Sequence, residues 1–303
     1  MAVKYEMIGT DDEGQRIDNF LLRQLRGVPK THVYRILRKG EVRVNGGRVK
    51  PTYRLQLDDR VRIPPVRQAA EVPIASAPEL IADLEAAVLY EDTDFLVINK
   101  PAGVAVHGGS SIRSGVVEQL RLSRDNPRLA LVHRLDRDTS GCLALAKNMP
   151  ALRYAQRMFR ERQVGKIYRA LVWGKWPTRV RTVQAKLQRY QTRSGERRVR
   201  VDSNGQTARS DFTCLSSTEH VSELEIALHT GRTHQIRVHA RHVGHPLIGD
   251  TKYGRGEQDM RLGLHASKLS LPLADGQLQK ILAPLPSEWQ ALQAEAQRRS
   301  HQD

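Results

Sequence analysis

The alternation of apolar and polar positions divides the chain into a short helical opening and a longer, strand-rich remainder. Ile17, Phe20, Leu21 and Leu25 recur at helical spacing and stop at Gly27 and Pro29. Val33, Ile36 and Leu37 mark a second short helix, ended by Gly40 with Arg38 and Lys39 in its last turn. Val42 and Val44 then alternate with charged residues, and Asn45-Gly46 supplies a tight turn. Leu55, Leu57, Val61 and Ile63 complete a small sheet around an Asp58-Asp59 turn. Pro64-Pro65 starts a stretch in which Ala69 to Glu79 sustains no period, and its Pro/Ala content predicts an extended linker. Residues 1–63 and 83–303 are therefore read as two domains joined by residues 64–82. In the second, short apolar runs at 88–90, 95–98 and 142–146 predict buried strands. Residues 151–160 have helical spacing, while Leu224, Ile226 and Leu228, then Leu262, Leu264, Leu269 and Leu271, alternate as strands. Ser287 is the expected N-cap of a C-terminal helix.

Charge narrows the range of partners. The 303 residues carry 49 Lys+Arg against 33 Asp+Glu, a formal net charge of +16, which favours a polyanion and above all nucleic acid. A membrane surface is the rival partner, but there is no long apolar run, signal-peptide pattern or basic amphipathic anchor. Cys142 and Cys214, both in apolar strand-like contexts, are expected as reduced core residues of a cytoplasmic protein. Between Arg16 and Gln56 only Asp18 and Glu41 oppose a series of cations that includes Arg16, Lys30, Arg35, Arg38, Lys39, Arg43 and Lys50. Residues 178–207 carry eight lysines and arginines against Glu196 and Asp202, and read as one or two exposed basic hairpins.

The densest chemistry lies at 131–141, LVHRLDRDTSG, a polar loop between two apolar strands. Burying such charges unpaired is costly. The loop is therefore either an ion-paired surface turn or a carboxylate held by arginines at the mouth of a cleft. Lys100 and His107, in NKPAGVAVH, read alone as ordinary surface residues, and Tyr168 as a strand residue with its hydroxyl at the rim of the core. His234, His239, His242 and His245 invite a metal reading. No cysteine or HExxH accompanies them, and His234 and His239 fall on opposite faces of an expected strand, so no metal is assigned. No Walker loop or GxGxxG supports a nucleotide cofactor.

Two resemblances extend this reading. Helix-helix-strand order, with RIDNF at 16–20 and VRVNG at 42–46, resembles the S4 RNA-binding domain. Behind it NKPAGVAVH, HRLDRDTSG, KIYRALVWG and GRTHQIRVHARHVGHPLIGD follow in order, and with them the chain resembles the RluA-type pseudouridine synthases, most closely their RluC branch. The resemblance implies an α+β chain, in which a small S4 domain precedes a catalytic domain with a mixed, mainly antiparallel sheet and flanking helices. It also implies an isomerase that turns uridine into pseudouridine in large-subunit ribosomal RNA, without metal or cofactor. Asp136 takes the position of the family's essential aspartate, Arg232 that of the arginine pairing with it, Tyr168 that of the stacking tyrosine, and Arg134 that of the residue replacing the flipped base. The expected protein is a cytoplasmic monomer. A transfer-RNA substrate, or a non-catalytic rRNA assembly factor, are the alternatives, and the joint presence of Asp136, Tyr168 and Arg232 argues against the second.

Overall fold

The computed structural model describes residues 2–25, 27–67, 75–108, 114–256 and 259–300, which form two compact units, one built on Met1–Ala75 and one on Ser76–Lys147 and Ala151–Asp303. In the first, helices α1 (Ile17–Gln24) and α2 (Lys30–Arg38) accompany a three-stranded antiparallel sheet ordered β1 (Lys4–Met7), β3 (Arg60–Ile63), β2 (Arg43–Val44). Ile17, Phe20, Leu21, Val33, Ile36 and Leu37 share one core with Val42, Val44 and Val61, as their spacing requires. Asn45 and Gly46 both take positive φ, 51° and 81°, the backbone of a two-residue hairpin turn. The first strand carries no pattern strong enough to predict it.

The second unit contains α3 (Pro78–Ala86), β4 (Val88–Glu91), β5 (Phe95–Lys100), α4 (Val116–Ser123), β6 (Ala130–Leu131), β7 (Ser140–Ala146) and α5 (Met149–Arg160). It continues with β8 (Gly165–Trp173), β9 (Thr182–Gln191), β10 (Arg197–Val201), β11 (Gln206–Ser217), β12 (Val221–Leu228) and α6 (Gln235–His242), then β13 (Leu264–Pro272), β14 (Leu278–Leu282) and α7 (Trp289–Arg299). Its strands form one sheet ordered β10-β9-β11-β12-β8-β13-β7-β5-β4, with β14 on β13 and β6 on β7. The β13–β7 pair is parallel and its neighbours antiparallel, so the fold is α+β with a mixed, mainly antiparallel sheet. Strand β7 is buried along its whole length, β5 everywhere but Asn99, and β8 from Ala170 to Trp173, as expected where both faces of a sheet are covered.

Four sequence expectations change. Residues 78–82, read as the end of a linker, open α3, which packs on β5 and α4 and buries Leu84 completely; linker residues 68–74 lie outside the described residues. The stretch from His234 to His239, read as a strand, leads into and lies within helix α6, which is buried from Gln235 to Ala240. Cys214 is exposed, because it sits where β11 bulges against β12, whereas Cys142 is buried as expected. The residue before α7 is Glu288 rather than Ser287, whose hydroxyl donates to the Glu288 carboxylate instead of capping the helix. Among the described residues no helix is long and apolar enough to cross a membrane.

Candidate active site

The loop between β6 and β7 is fixed from beneath by Lys100, at the end of β5. This side chain is fully buried rather than on the surface, and its ammonium donates to the carbonyls of Pro101 (2.7 Å), Val104 (2.9 Å) and Arg137 (2.9 Å). Arg137 follows Asp136, so one cation ties the NKPAG loop to the HRLDRDTSG loop. Burial lowers the Lys100 pKa to about 7, against the opposing charges of Asp138 and Asp136. His107 is exposed, as expected. Gly141, opposite Lys100 in the β5–β7 register, approaches β13 so closely that a Cβ would lie 2.3 Å from the Ala266 carbonyl oxygen. With φ at 109°, only glycine suits it. Lys100→Met fills the same volume but leaves three carbonyls without their donor. It is expected to cost about 1–3 kcal/mol of stability, read as a lower urea midpoint at unchanged slope; an unchanged midpoint would remove Lys100 as the anchor.

His133 is also structural. Burial pushes its pKa down to about 4, its Nε2 accepts the Ala144 amide (3.1 Å), and its ring stacks on Phe159 at 5.4 Å. Asp136 itself is partly exposed, facing a cleft of about 2310 Å³. The arginine beside it is Arg237, whose Nη1 lies 3.4 Å from Oδ2, and not Arg232. The difference follows from α6. Helical geometry turns Arg237 inward, 4 % exposed, where it forms a two-pronged pair with buried Asp250 at 2.8 and 2.7 Å. Arg232 lies ahead of the helix in a turn pinned by Gln235, whose amide oxygen accepts both the Arg232 amide (3.0 Å) and the Thr230 hydroxyl (2.7 Å). Its exposed side chain donates to the Thr207 carbonyl at the cleft rim.

Tyr168 stands on β8, 8 % exposed, lining the same cleft. Burial, and then the charge on Asp136, push its pKa up, so the phenol keeps its proton at neutral pH. Arg134 is exposed along the cleft, which Arg160, Lys166, Arg189 and Arg197 also line. The β9–β10 hairpin, antiparallel from Leu187–Val201 to Gln191–Arg197 in register, carries the predicted basic arm. His239 and His245, considered above for a metal, bond instead to the Ser210 hydroxyl (3.1 Å) and the Trp173 carbonyl (2.8 Å). Among the described residues no cluster of His, Cys, Asp or Glu is placed to hold a metal.

In the first unit Lys30, Arg35, Arg38, Lys39, Arg43 and Lys50 are exposed. Arg16 is committed internally, its guanidinium holding the carboxylate of buried Asp18 at 2.6 and 3.1 Å. Arg43 donates to the carbonyls of Gly40 and Gly46, and Arg35 meets the His32 ring.

Comparison with known proteins gives a consistent picture. Residues 94–242 match the RNA pseudouridylate synthase family and residues 15–61 the S4 domain. A Pasteurella multocida protein named ribosomal large subunit pseudouridine synthase C is 47 % identical over 95 % of this chain and 92 % of its own length. Its Escherichia coli K12 namesake is 47 % identical over 94 % and 93 %. The solved structure of human RNA pseudouridylate synthase domain containing 4 aligns with 73 % of this chain and 96 % of its own at a TM-score of 0.59, with 28 % identity.

Proposed function

Because this chain belongs to the RNA pseudouridylate synthase family, with an S4 domain ahead of the catalytic one, we infer that it converts uridine to pseudouridine in large-subunit ribosomal RNA. The protein is an RNA pseudouridine synthase, and the substrate follows its near full-length relatives named for the large ribosomal subunit. The observation that carries the chemistry is a carboxylate, Asp136, beside Arg237 on a cation-lined cleft that Tyr168 also lines, its charge helping to keep the phenol protonated.

The reaction breaks the C1′–N1 bond, turns the uracil, and forms a C1′–C5 bond; C5 loses a proton and N1 gains one. Nothing else is consumed. Holding the freed base in position is therefore a large part of catalysis. Asp136 supplies the nucleophile or base toward the nucleoside. Arg237 compensates its charge, the role that the family resemblance gave to Arg232. Tyr168 offers a ring for the uracil to stack on and a hydroxyl to relay the C5 proton. A uridine within folded RNA must leave its stack to reach this cleft, and exposed Arg134 is suited to fill the gap it leaves. Arg232 and the hairpin arginines, with the S4 lysines and arginines, hold the backbone by phosphate contacts. Such an enzyme works in the cytoplasm, where ribosomal RNA is assembled.

The test is a pseudouridine map of total RNA from cells lacking the protein, with and without the wild-type gene restored. Large-subunit sites should disappear and return. Loss of transfer-RNA sites alone would overturn the substrate, and an unchanged map would favour the assembly-factor reading.

A further inference from the structure

Asp136 has a second neighbour besides Arg237. His234 Nε2 lies 3.8 Å from Asp136 Oδ2, the oxygen that Arg237 also approaches. The other ring nitrogen, Nδ1, is 2.7 Å from the hydroxyl of Tyr253, and that hydroxyl already accepts the Val199 amide at 2.8 Å. Tyr253 is 5 % exposed, so its single hydroxyl proton needs an acceptor. Among the described contacts only His234 Nδ1 can take it. Were Nδ1 protonated instead, the hydroxyl would receive two donors and its own proton would be orphaned, a cost buried groups avoid. With Nδ1 accepting, the neutral ring carries its proton on Nε2, the nitrogen turned toward Asp136. Burial holds the imidazole below its ordinary pKa although Asp136 favours the charged form, and Arg237 and Lys252 add to the lowering.

We propose that His234 is a positioning residue for the reaction, an Nε2–H donor whose tautomer Tyr253 sets and which, with Arg237, holds one oxygen of Asp136 so that the other faces the uridine. The inference rests on Asp136 being the reacting carboxylate. Three features support a purpose-built arrangement. His234 has φ of 53°, a left-handed conformation that non-glycine residues rarely occupy and that functional sites tolerate. Tyr253 serves both donors, its hydroxyl on His234 and its ring 5.3 Å from the Arg237 guanidinium carbon. The Asp250 carboxylate that grips Arg237 also accepts the amides of Lys252 and Tyr253 at 2.9 Å each, which sets the turn that presents the tyrosine. The 3.4 and 3.8 Å contacts to Oδ2 are long, as catalytic contacts commonly are before substrate closes the site.

Glutamine and methionine at position 234 have similar length and bear the same left-handed strain, but only glutamine carries an N–H near the Nε2 position. Large-subunit rRNA from cells lacking the gene is the probe, with enzyme in excess so that the single-turnover rate is read apart from the Kd. His234→Met should lose roughly tenfold or more in rate at unchanged Kd, and His234→Gln should recover most of that loss. Tyr253→Phe should fall in the same direction, because it releases Nδ1. Independently of any substrate, nitrogen NMR of histidine-labelled protein should show a protonated Nε2 and a bare Nδ1, assigned by their disappearance in His234→Gln. Asp136→Asn should shift that Nε2–H resonance. A wild-type rate in His234→Met, equal losses in Met and Gln, a change confined to Kd, or a protonated Nδ1 would each overturn the proposal. Wild type inactive on this RNA would overturn the substrate instead, and the nitrogen spectrum would still decide the tautomer.

Discussion

Asp136→Asn should abolish pseudouridine formation while leaving both fold and RNA affinity in place. Asparagine matches aspartate in shape, so the loop between β6 and β7 keeps its Lys100 anchor through the Arg137 carbonyl. Arg237 keeps its closer partner Asp250, and no buried cation is orphaned. Stability should therefore stay within about 0.5 kcal/mol of wild type. Removing a negative charge from a cleft lined by Arg134, Lys166 and Arg189 can only favour a polyanion, so the Kd should be equal or lower. The amide can neither attack as a carboxylate nor take a proton, and a rate loss of at least about 10⁴-fold is expected. Carbodiimide mapping of pseudouridine after incubation with rRNA, beside filter binding of the same RNA, reads the two effects apart. Asp138→Asn is the control, since Asp138 pairs with exposed Arg137 at 3.0 Å; its rate should stay within about threefold. Turnover by Asp136→Asn within tenfold of wild type would end the assignment of Asp136.

The strands that carry the candidate residues were legible from neighbours a few positions away, in the apolar runs that flank the 131–141 loop and in the strand pattern around Tyr168. The roles of Asp136 and Tyr168, by contrast, came only from the resemblance of their motifs to a family. The surroundings of Arg237 were not legible in this way. Ile236 and Val238 are β-branched and two apart, the signature of a strand, and nothing nearby announces that 235–242 coils into a helix buried on nearly every side. In the helix Arg237 turns inward and takes the place beside Asp136 that the resemblance had given to Arg232. Lys100 was hidden for a related reason, because its three acceptors come from residues 101, 104 and 137 and a lone lysine carries no mark of burial. Likewise the start of α3 has no cap residue and follows a proline-rich stretch, so its first turn reads as linker. The role of Tyr253 depends on three elements meeting, β10, the residue ahead of α6 and the turn after Asp250.

Arg237→Met should be among the most damaging substitutions to the fold, and its partner substitution separates fold from catalysis. Asp250 and Arg237 are both buried. Removing the guanidinium leaves a buried carboxylate without its cation, which costs about 3–5 kcal/mol. Arg237→Met with Asp250→Asn removes both charges, and the asparagine oxygen still accepts the Lys252 and Tyr253 amides that Asp250 accepts now. Most of the lost stability should return. Activity should not, because Asp136 has lost its cation in either protein. The dependence on pH supplies a further sign. In wild type, burial raises the Asp250 pKa, but Arg237 and the two amides outweigh it and hold the carboxyl below its ordinary range. A depressed acid stabilises the fold above its unfolded pKa and loses that contribution as pH falls through the folded value. In Arg237→Met burial is opposed only by the amides, so the carboxyl rises above its unfolded value and the sign reverses. The penalty relative to the double variant should be fully present at neutral pH and shrink as pH falls toward about 4, where Asp250 is protonated in both folded and unfolded chains. Urea unfolding of wild type, single and double variants from about pH 7.5 to about pH 4.5 measures this. A double variant as unstable as the single, or a penalty that does not change with pH, would show that the Arg237–Asp250 pair does not hold α6 against the turn that follows it.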